Sequence, residues 1–198
     1  MASQPLPRTL TLALGLACAL VLAAGCAPGG LIYTGPTDEC GPIEPSSQDV
    51  RFALEFGQTP FNQPDWTKSY TVEPYRITLT RQNNREGAIA YLEYLMYNCG
   101  YGQAELDEYF SEEGFAIVFA NYEDYHLYNF CENENQDLAL YEYELEDAGD
   151  VYAARYWVQQ VSDTRLLVYL LVFPDDRMFV MNGYARELFP ELIACGGP

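Results

Sequence analysis

Residues Leu166–Phe173, with the sequence LLVYLLVF, decide the fold. Apolar residues occupy every position of this stretch, which is typical of a strand buried on both faces. The turn-forming segment 162–164 precedes it and Pro174 follows it, so both ends are marked. We therefore expect these residues to form the central strand of a sheet that is covered on both sides.

Further strands are predicted on either side of this stretch. The segments between them are short and rich in Asn, Asp, Gly and Pro, so neighbouring strands should pair antiparallel as a meander. Val50–Phe56 alternates only weakly, and Pro74 lies inside another candidate, which makes that one an edge strand. The predicted strands are Val50–Phe56, Tyr70–Thr80, Tyr125–Cys131, Leu138–Leu145, Val151–Val161, Arg165–Phe173 and Met178–Tyr184.

The clearest helical pattern covers Asn83–Cys99. Its apolar residues recur at intervals of three and four, as on one face of an amphipathic helix. Asn83 and Glu86 are spaced as a capping box, and Gly100 is a typical terminator. We expect this to be the main helix, with shorter helices at Gln103–Phe110 and Arg186–Ala194.

Together these elements predict an α+β fold in which one main helix packs on a curled antiparallel sheet, a meander of four to six strands. Cystatin-like and NTF2-like cones have a similar order of elements, as does the Mog1/PsbP sandwich with its closing C-terminal helix. This resemblance concerns the fold alone and implies no activity.

Residues 1–25 have the three parts of an export signal. A short segment ending at Arg8 is followed by the apolar run Thr9–Leu22 and by small residues at 23–25. The run is shorter than the about 20 apolar residues that cross a bilayer comfortably. We therefore predict an export signal rather than a membrane-spanning helix.

Leu22–Cys26, with the sequence LAAGC, resembles the lipobox of bacterial lipoproteins. The resemblance implies lipidation of the Cys26 thiol, cleavage before Cys26 and anchoring to a bacterial membrane on its extracytoplasmic side. The alternative is an ordinary secretory signal, with Cys26 a plain thiol. Residues 26–49 are rich in Gly, Pro and Ser and predict a flexible tether, and 50–198 predict a single globular domain.

The charge of the chain limits its partners. The formal net charge is −19, and the loss of Arg8 with the signal makes it −20. Nucleic-acid binding needs a basic surface, so we expect no nucleic-acid partner. The same charge disfavours adsorption to anionic lipid.

Four cysteines remain after the signal and the lipidated residue are set aside. An even number of cysteines in an exported chain predicts two disulfides, for which three connectivities exist. We favour Cys99–Cys131 and Cys40–Cys195, the second of which would close a loop of more than 100 residues. A metal site is disfavoured because no CxxC spacing is present.

The candidates for catalysis are few. His126 is the single histidine, and Asp124 would share its strand face as an orienting partner. A surface histidine on a strand is the favoured interpretation. Glu142, Glu144 and Glu146 alternate along one strand and predict a solvated face rather than a paired-carboxylate site. The acidic turns 132–137 and 144–150 are weak candidates for Ca²⁺, and neither has the EF-hand pattern.

Tyrosine is unusually frequent, with 17 residues. Cross-strand aromatic pairs stabilise a sheet, which is the favoured interpretation, but an exposed aromatic face also binds sugars or peptides. The candidate binding face consists of Tyr141, Tyr143, Tyr152, Tyr156 and Trp157.

Three functions follow from these observations. The first is a non-enzymatic envelope lipoprotein that binds a ligand, a protein or a glycan. The second is a structural or assembly component of the cell envelope, and the third is a hydrolase using Asp124 and His126. The sequence contains no cofactor motif, so we expect neither a cofactor nor a metal, and we favour a non-enzymatic protein over an enzyme.

Overall fold

The computed structural model describes residues 43–97 and 110–196. They form an α+β domain that consists mostly of one seven-stranded antiparallel sheet. The strands are β1 (Trp66–Glu73), β2 (Arg76–Asn83), β3 (Ala88–Met96), β4 (Asp124–Asn133), β5 (Leu138–Asp147), β6 (Asp150–Ser162) and β7 (Arg165–Pro174). The helices are α1 (Ser47–Glu55), α2 (Glu112–Val118) and α3 (Met178–Leu188).

The sheet joins two meanders. Its spatial order is β1-β2-β3-β7-β6-β5-β4, so β7 returns to pair with β3 and unites the two halves. The prediction for Leu166–Phe173 is confirmed, because this stretch lies in the middle of the sheet with alternate residues in two separate cores. The sheet has more strands than the four to six predicted.

One surface of the sheet, called face A here, is covered by α1, α3 and the C-terminal segment 189–196. Side chains such as Tyr169 and Phe173 point into this core with Trp157. The Trp157 indole Nε1 donates a hydrogen bond of 2.8 Å to the carbonyl oxygen of Leu192, and its ring stacks on Phe189 at 4.9 Å. These contacts fix the C-terminal segment against the sheet.

The opposite surface, face B, carries a second core beneath α2. Ser111 caps this helix by accepting a hydrogen bond of 3.2 Å from the backbone N–H of Gly114. Phe115 and Val118 are buried against strands β5 to β7. A sheet with a covering layer on each side explains why Leu166–Phe173 of the central strand β7 is apolar at every position.

The predicted main helix at Asn83–Cys99 is wrong. Asn83 ends β2, and its side-chain oxygen accepts hydrogen bonds of 3.1 Å from the N–H groups of Arg85 and Glu86. Gly87, with a φ of 65°, completes the turn and β3 begins at Ala88. A strand buried on both faces has apolar residues at helical spacing as well, so periodicity alone did not distinguish the two.

Two further strand predictions are wrong. Val50–Phe56 lies largely within α1, which begins at Ser47 because Ser46 and Asp49 form a capping box. Met178–Tyr184 is the first part of α3, which ends at Leu188, so the predicted helix at 186–194 is mostly irregular chain. Without a main helix, the structure does not confirm the cystatin-like, NTF2-like or Mog1/PsbP analogies.

The candidate strand at Tyr70–Thr80 is a hairpin rather than one strand. β1 and β2 pair in register through Glu73 and Arg76, and the turn between them places Tyr75 at a φ of 59°. The predicted helix at 103–110 lies outside the described residues except for Phe110. Among the described residues, none of the helices has the length and apolar character that crossing a bilayer requires.

The favoured disulfide pairing is wrong. Cys131 on β4 is bonded to Cys195 in the C-terminal segment, so neither Cys99–Cys131 nor Cys40–Cys195 can form. The tertiary fold explains this pairing, because the C-terminal segment returns across face A to the edge of the sheet where β4 lies. Cys40 and Cys99 lie outside the described residues.

Candidate functional site

The five residues of the predicted binding face do not share one surface. Tyr141, Tyr143, Tyr152 and Tyr156 point to face B, whereas Trp157 points to face A. Tyr143, Tyr156 and Trp157 are buried, so they belong to the cores. Tyr141 and Tyr152 are partly exposed.

An aromatic cluster holds α2 on face B. The Phe115 ring lies 5.0 Å from that of Tyr141, 5.1 Å from Tyr143 and 5.3 Å from Tyr156. Such aromatic pairs contribute about 0.5–1.5 kcal/mol each beyond their buried area. Burial raises the pKa of Tyr143 well above its ordinary range, with smaller contributions from Tyr141 and Tyr125, so this phenol is neutral at physiological pH.

A cavity of about 490 Å³ opens beside this cluster. Tyr141 forms part of its wall, stacked on Phe110 at 5.9 Å and contacting Phe130 at 4.7 Å between ring centroids. Pockets of about 300–1,000 Å³ are the size that small organic ligands occupy. The described lining residues are Phe110, Phe130, Glu132, Asn133, Glu134, Asp137, Leu138, Ala139, Tyr141, Val158, Gln160 and Leu166.

The rim of this cavity is acidic. Glu132 lines it from the end of β4, and Glu134 and Asp137 line it from the turn that joins β4 to β5. Its described lining contains no basic side chain. The side chains of these three acidic residues are exposed, so their charge acts at the entrance. The turn was singled out from the sequence as a weak Ca²⁺ candidate, yet within the described ranges no three His, Cys, Asp or Glu residues are grouped as metal ligands.

Phe110 and Phe130 are lining residues that the sequence analysis did not select. The side chains of Phe130 and Cys131 point to opposite faces of β4. Phe130 is exposed because β4 lies at the edge of the sheet, and the order of strands in a sheet is not visible in the local sequence. Phe110 precedes the Ser111 cap of α2 and reaches Tyr141 only through the tertiary fold. Neither residue belongs to a recognisable sequence motif. The sequence showed only that both are aromatic, that Phe110 precedes the start of a helix and that Phe130 lies close to a turn.

A smaller cavity of about 170 Å³ lies on the other side of α2, towards the opposite end of the sheet. Ile89, Val118 and Leu170 contribute apolar walls, with Tyr152 and Asp147 at its border. Burial raises the pKa of Tyr152, and the nearby Asp150 and Asp147 carboxylates raise it further. This cavity has only one carboxylate and is too small for most drug-sized ligands.

The structure does not bring Asp124 and His126 into a cleft. Both lie exposed on β4, opposite Glu146 and Glu144 of β5. The Asp124 carboxylate accepts a hydrogen bond of 2.8 Å from the backbone N–H of Tyr125. Neither Asp124 nor His126 lines either cavity.

Glu142 does not belong to a solvated face, contrary to the prediction. It is buried on face A, where its Oε1 accepts a hydrogen bond of 2.9 Å from the Nε of Arg155. The other oxygen accepts from the backbone N–H of Cys195 at 3.2 Å. Glu144 and Glu146 are exposed as predicted. The buried carboxylate therefore has a structural role next to the disulfide.

Arg81 is the other buried cation of face A. It donates hydrogen bonds of 3.1 Å to the Tyr169 hydroxyl and to the Phe56 carbonyl, and its guanidinium lies 4.5 Å from the ring centroid of Phe61. Arg81 lines neither of the two cavities. Its contacts hold α1 and the following chain onto β2 and β7.

No protein-family profile matches the sequence, and no curated protein is significantly similar to it. The chain forms an acidic α+β domain whose antiparallel sheet is covered on both faces. The larger of its two cavities described here combines an aromatic wall with a carboxylate rim.

Proposed function

We propose that this protein is an exported, lipid-anchored envelope protein whose domain binds an organic cation, without catalysing a reaction. The observation that carries the binding proposal is the 490 Å³ cavity, in which Phe110, Phe130 and Tyr141 lie beside three carboxylates. Aromatic faces attract cations by about 0.5–2 kcal/mol. Carboxylates at the entrance add attraction and disfavour anionic ligands.

Export and anchoring rest on the lipobox-like segment Leu22–Cys26 and on the acidic, cysteine-bearing domain that follows it. A disulfide between Cys131 and Cys195 is compatible with an oxidising compartment. The cavity borders the start of β7, and Ile43, the first described residue and part of the predicted tether 26–49, bonds to the β1–β2 turn at the same end of the sheet. The domain would thus be anchored from the end of the sheet that carries the binding site.

The two other functions have less support. A hydrolase would need Asp124 and His126 to meet in a cleft, and they are exposed on an edge strand. An assembly component would be supported by a large apolar patch, whereas the exposed apolar residues are distributed over several elements. A neutral glycan is a further ligand class for an aromatic wall, and it would bind without dependence on salt.

The test uses three benzyl compounds that differ in charge. Benzyltrimethylammonium should bind the full-length protein in nonionic detergent, benzyl alcohol more weakly and benzoate weakest, as measured by calorimetry. Increasing ionic strength should weaken binding of the cation, because exposed charges are screened.

Two variants locate the binding site. Glu132→Gln should weaken binding of the cation about threefold to tenfold, since one attractive charge of about 1 kcal/mol is lost. Glu144→Gln removes an equal charge on the other face of the sheet and should have no effect. Equal affinity for benzoate, or equal effects of the two substitutions, would refute the proposal.

A further inference from the structure

We propose that the natural ligand is an extended basic peptide that pairs with the free edge of β4 and places a lysine or arginine side chain in the cavity. This inference rests on the proposed function and specifies the class of partner. It requires an open strand edge, a side-chain path into the cavity and matching charge.

β4 is the last strand of the sheet among the described residues. β5 pairs with one of its edges, and within that part of the chain no strand pairs with the other. Such an edge presents backbone N–H and C=O groups that an added strand can satisfy. Leu127 and Phe130 are 42% and 44% exposed on this strand, which provides apolar contact for alternate side chains of a partner.

The cavity begins at this edge. Phe130 pairs across the strands with Tyr141, so both rings lie on face B, and Glu132 lies two residues further along β4 on the same side. Neighbouring strands are about 4.8 Å apart. A lysine or arginine side chain on face B of an added strand can therefore extend over Phe130 towards Tyr141. Its charged group would then lie among the rim carboxylates.

The negative charge of residues 110–196, which include β4, favours a basic partner. Residues 110–196 contain 17 acidic and four basic residues, whereas residues 43–97 contain seven acidic and five basic ones. One of the four basic residues, Arg155, is already buried against Glu142. Two copies of this chain would repel each other across paired β4 edges, so the occupant is a cationic segment rather than a second copy.

The other edge of the sheet, at β1, differs from the β4 edge in its charge and in its position relative to the cavities. β1 carries Lys68, the only lysine of the chain, near the middle of the strand. Lysine on an exposed edge is a common means of preventing strand addition. Residues of β1 line neither of the two cavities. β1 therefore serves as an internal control for β4.

The experiment uses a capped peptide of alternating arginine and valine that matches β4 in length. Its affinity for the full-length protein in nonionic detergent is measured by fluorescence anisotropy. A second peptide has the same sequence with N-methyl groups on all of its backbone amides, which blocks hydrogen bonding by the N–H groups of both edges and keeps every charge. The unmodified peptide should bind at least about tenfold more tightly, because several backbone hydrogen bonds of about 1 kcal/mol each are lost in the other.

Matched double variants locate the edge. Phe130→Ala with Glu132→Gln should weaken binding of the unmodified peptide about tenfold, and Tyr70→Ala with Glu73→Gln on β1 should not. All four side chains are exposed on an edge strand, so near-ultraviolet circular dichroism should show the same fold in both variants.

The outcomes separate this inference from the proposed function. If benzyltrimethylammonium binds and N-methylation does not change the affinity of the peptide, the cavity binds cations but strand addition is refuted. The same conclusion follows if the β1 variant weakens binding as much as the β4 variant. If neither the small cation nor the peptide binds, both proposals are refuted.

Discussion

Arg155 on β6 and Glu142 on β5 form an ion pair of 2.9 Å that is almost completely buried on face A. Arg155 also donates a hydrogen bond of 2.7 Å to the side-chain oxygen of Asn182 on α3. Asn129 on β4 donates one of 2.9 Å to the carbonyl oxygen of Cys195 and contacts Glu142. This network joins three strands, a helix and the C-terminal segment.

Removal of one partner of this pair should destabilise the protein strongly. Arg155→Met leaves the Glu142 carboxylate buried without its cation, and we expect the free energy of unfolding to fall by about 3–5 kcal/mol. Adding Glu142→Leu should recover most of this loss, because no uncompensated charge remains. Urea denaturation measures both. The exposed pair Arg85–Asp65, at 3.4 Å, is the control, and its loss should change stability by less than about 1 kcal/mol.

The Cys131–Cys195 disulfide should contribute several kcal/mol to stability. It closes a loop of 64 residues, for which the chain-entropy relation gives about 4 kcal/mol. The double variant Cys131→Ser with Cys195→Ser should therefore show a clearly lower urea midpoint. The C-terminal segment should also detach more easily from the sheet in this variant. Trp157, which donates a hydrogen bond to Leu192 in that segment, would then be exposed to water, and its emission should shift to longer wavelength. An unchanged midpoint would contradict this role.

The remaining cysteines should form the second disulfide. The backbone N–H of Tyr75 donates to the carbonyl of Ile43, and the N–H of Met96 donates to the carbonyl of Tyr75, both at 2.8 Å. Cys40 precedes Ile43 by three residues and Cys99 follows Met96 by three, and three residues span at most about 10 Å. We expect proteolysis without reduction to yield a Cys40–Cys99 peptide pair in mass spectrometry. Free thiols at both positions would contradict this expectation.

Asp49 should make stability depend on pH in the acidic range. Burial raises the pKa of Asp49, but hydrogen bonds from Ser46 and Arg165 outweigh it and hold the pKa below its ordinary value of 3.8. The stability that Asp49 contributes is therefore fully present above that value and is lost as the pH falls below it.

Measurement of this contribution needs a matched variant. The difference in free energy of unfolding between wild type and Asp49→Asn should shrink between about pH 5 and pH 2. Glu55→Gln, which removes one negative charge at an exposed position of the same helix, is measured in parallel as the control. A difference that stays constant over this range would show that the ion pair with Arg165, at 3.1 Å, does not act through the charge of Asp49.

Lipidation of Cys26 is tested by mass. Protein extracted from the membranes of its native host should lack residues 1–25 and carry acyl chains on Cys26, and Cys26→Ser should release the protein from the membrane. Cys18→Ser, a change of the same chemistry inside the leader, should leave anchoring intact. A soluble wild-type product cut at another bond would contradict the lipobox interpretation.

Composition and local pattern were sufficient for part of this fold. Leu166–Phe173 is apolar at every position and is bounded by turn-forming residues, which is typical of a strand between two covering layers, and it is the central strand. β4, β5 and β6 were predicted in place as well, because they are separated by turn-forming residues, whereas β1 and β2 were predicted as one strand and β3 as a helix. These features are local, because alternation and turn chemistry depend on neighbouring residues alone.

Other features depended on contacts between distant residues. The sequence of β3 fits a helix as well as a strand, and its pairing with β2 and β7 decides between them. The pairing of Cys131 with Cys195 follows from the path of the C-terminal segment across face A. The sequence thus determined strands β4 to β7, the acidic charge and the signal-like leader. Only the tertiary structure decided the third strand, the disulfide and the cavity, because each is formed by side chains that are far apart along the chain.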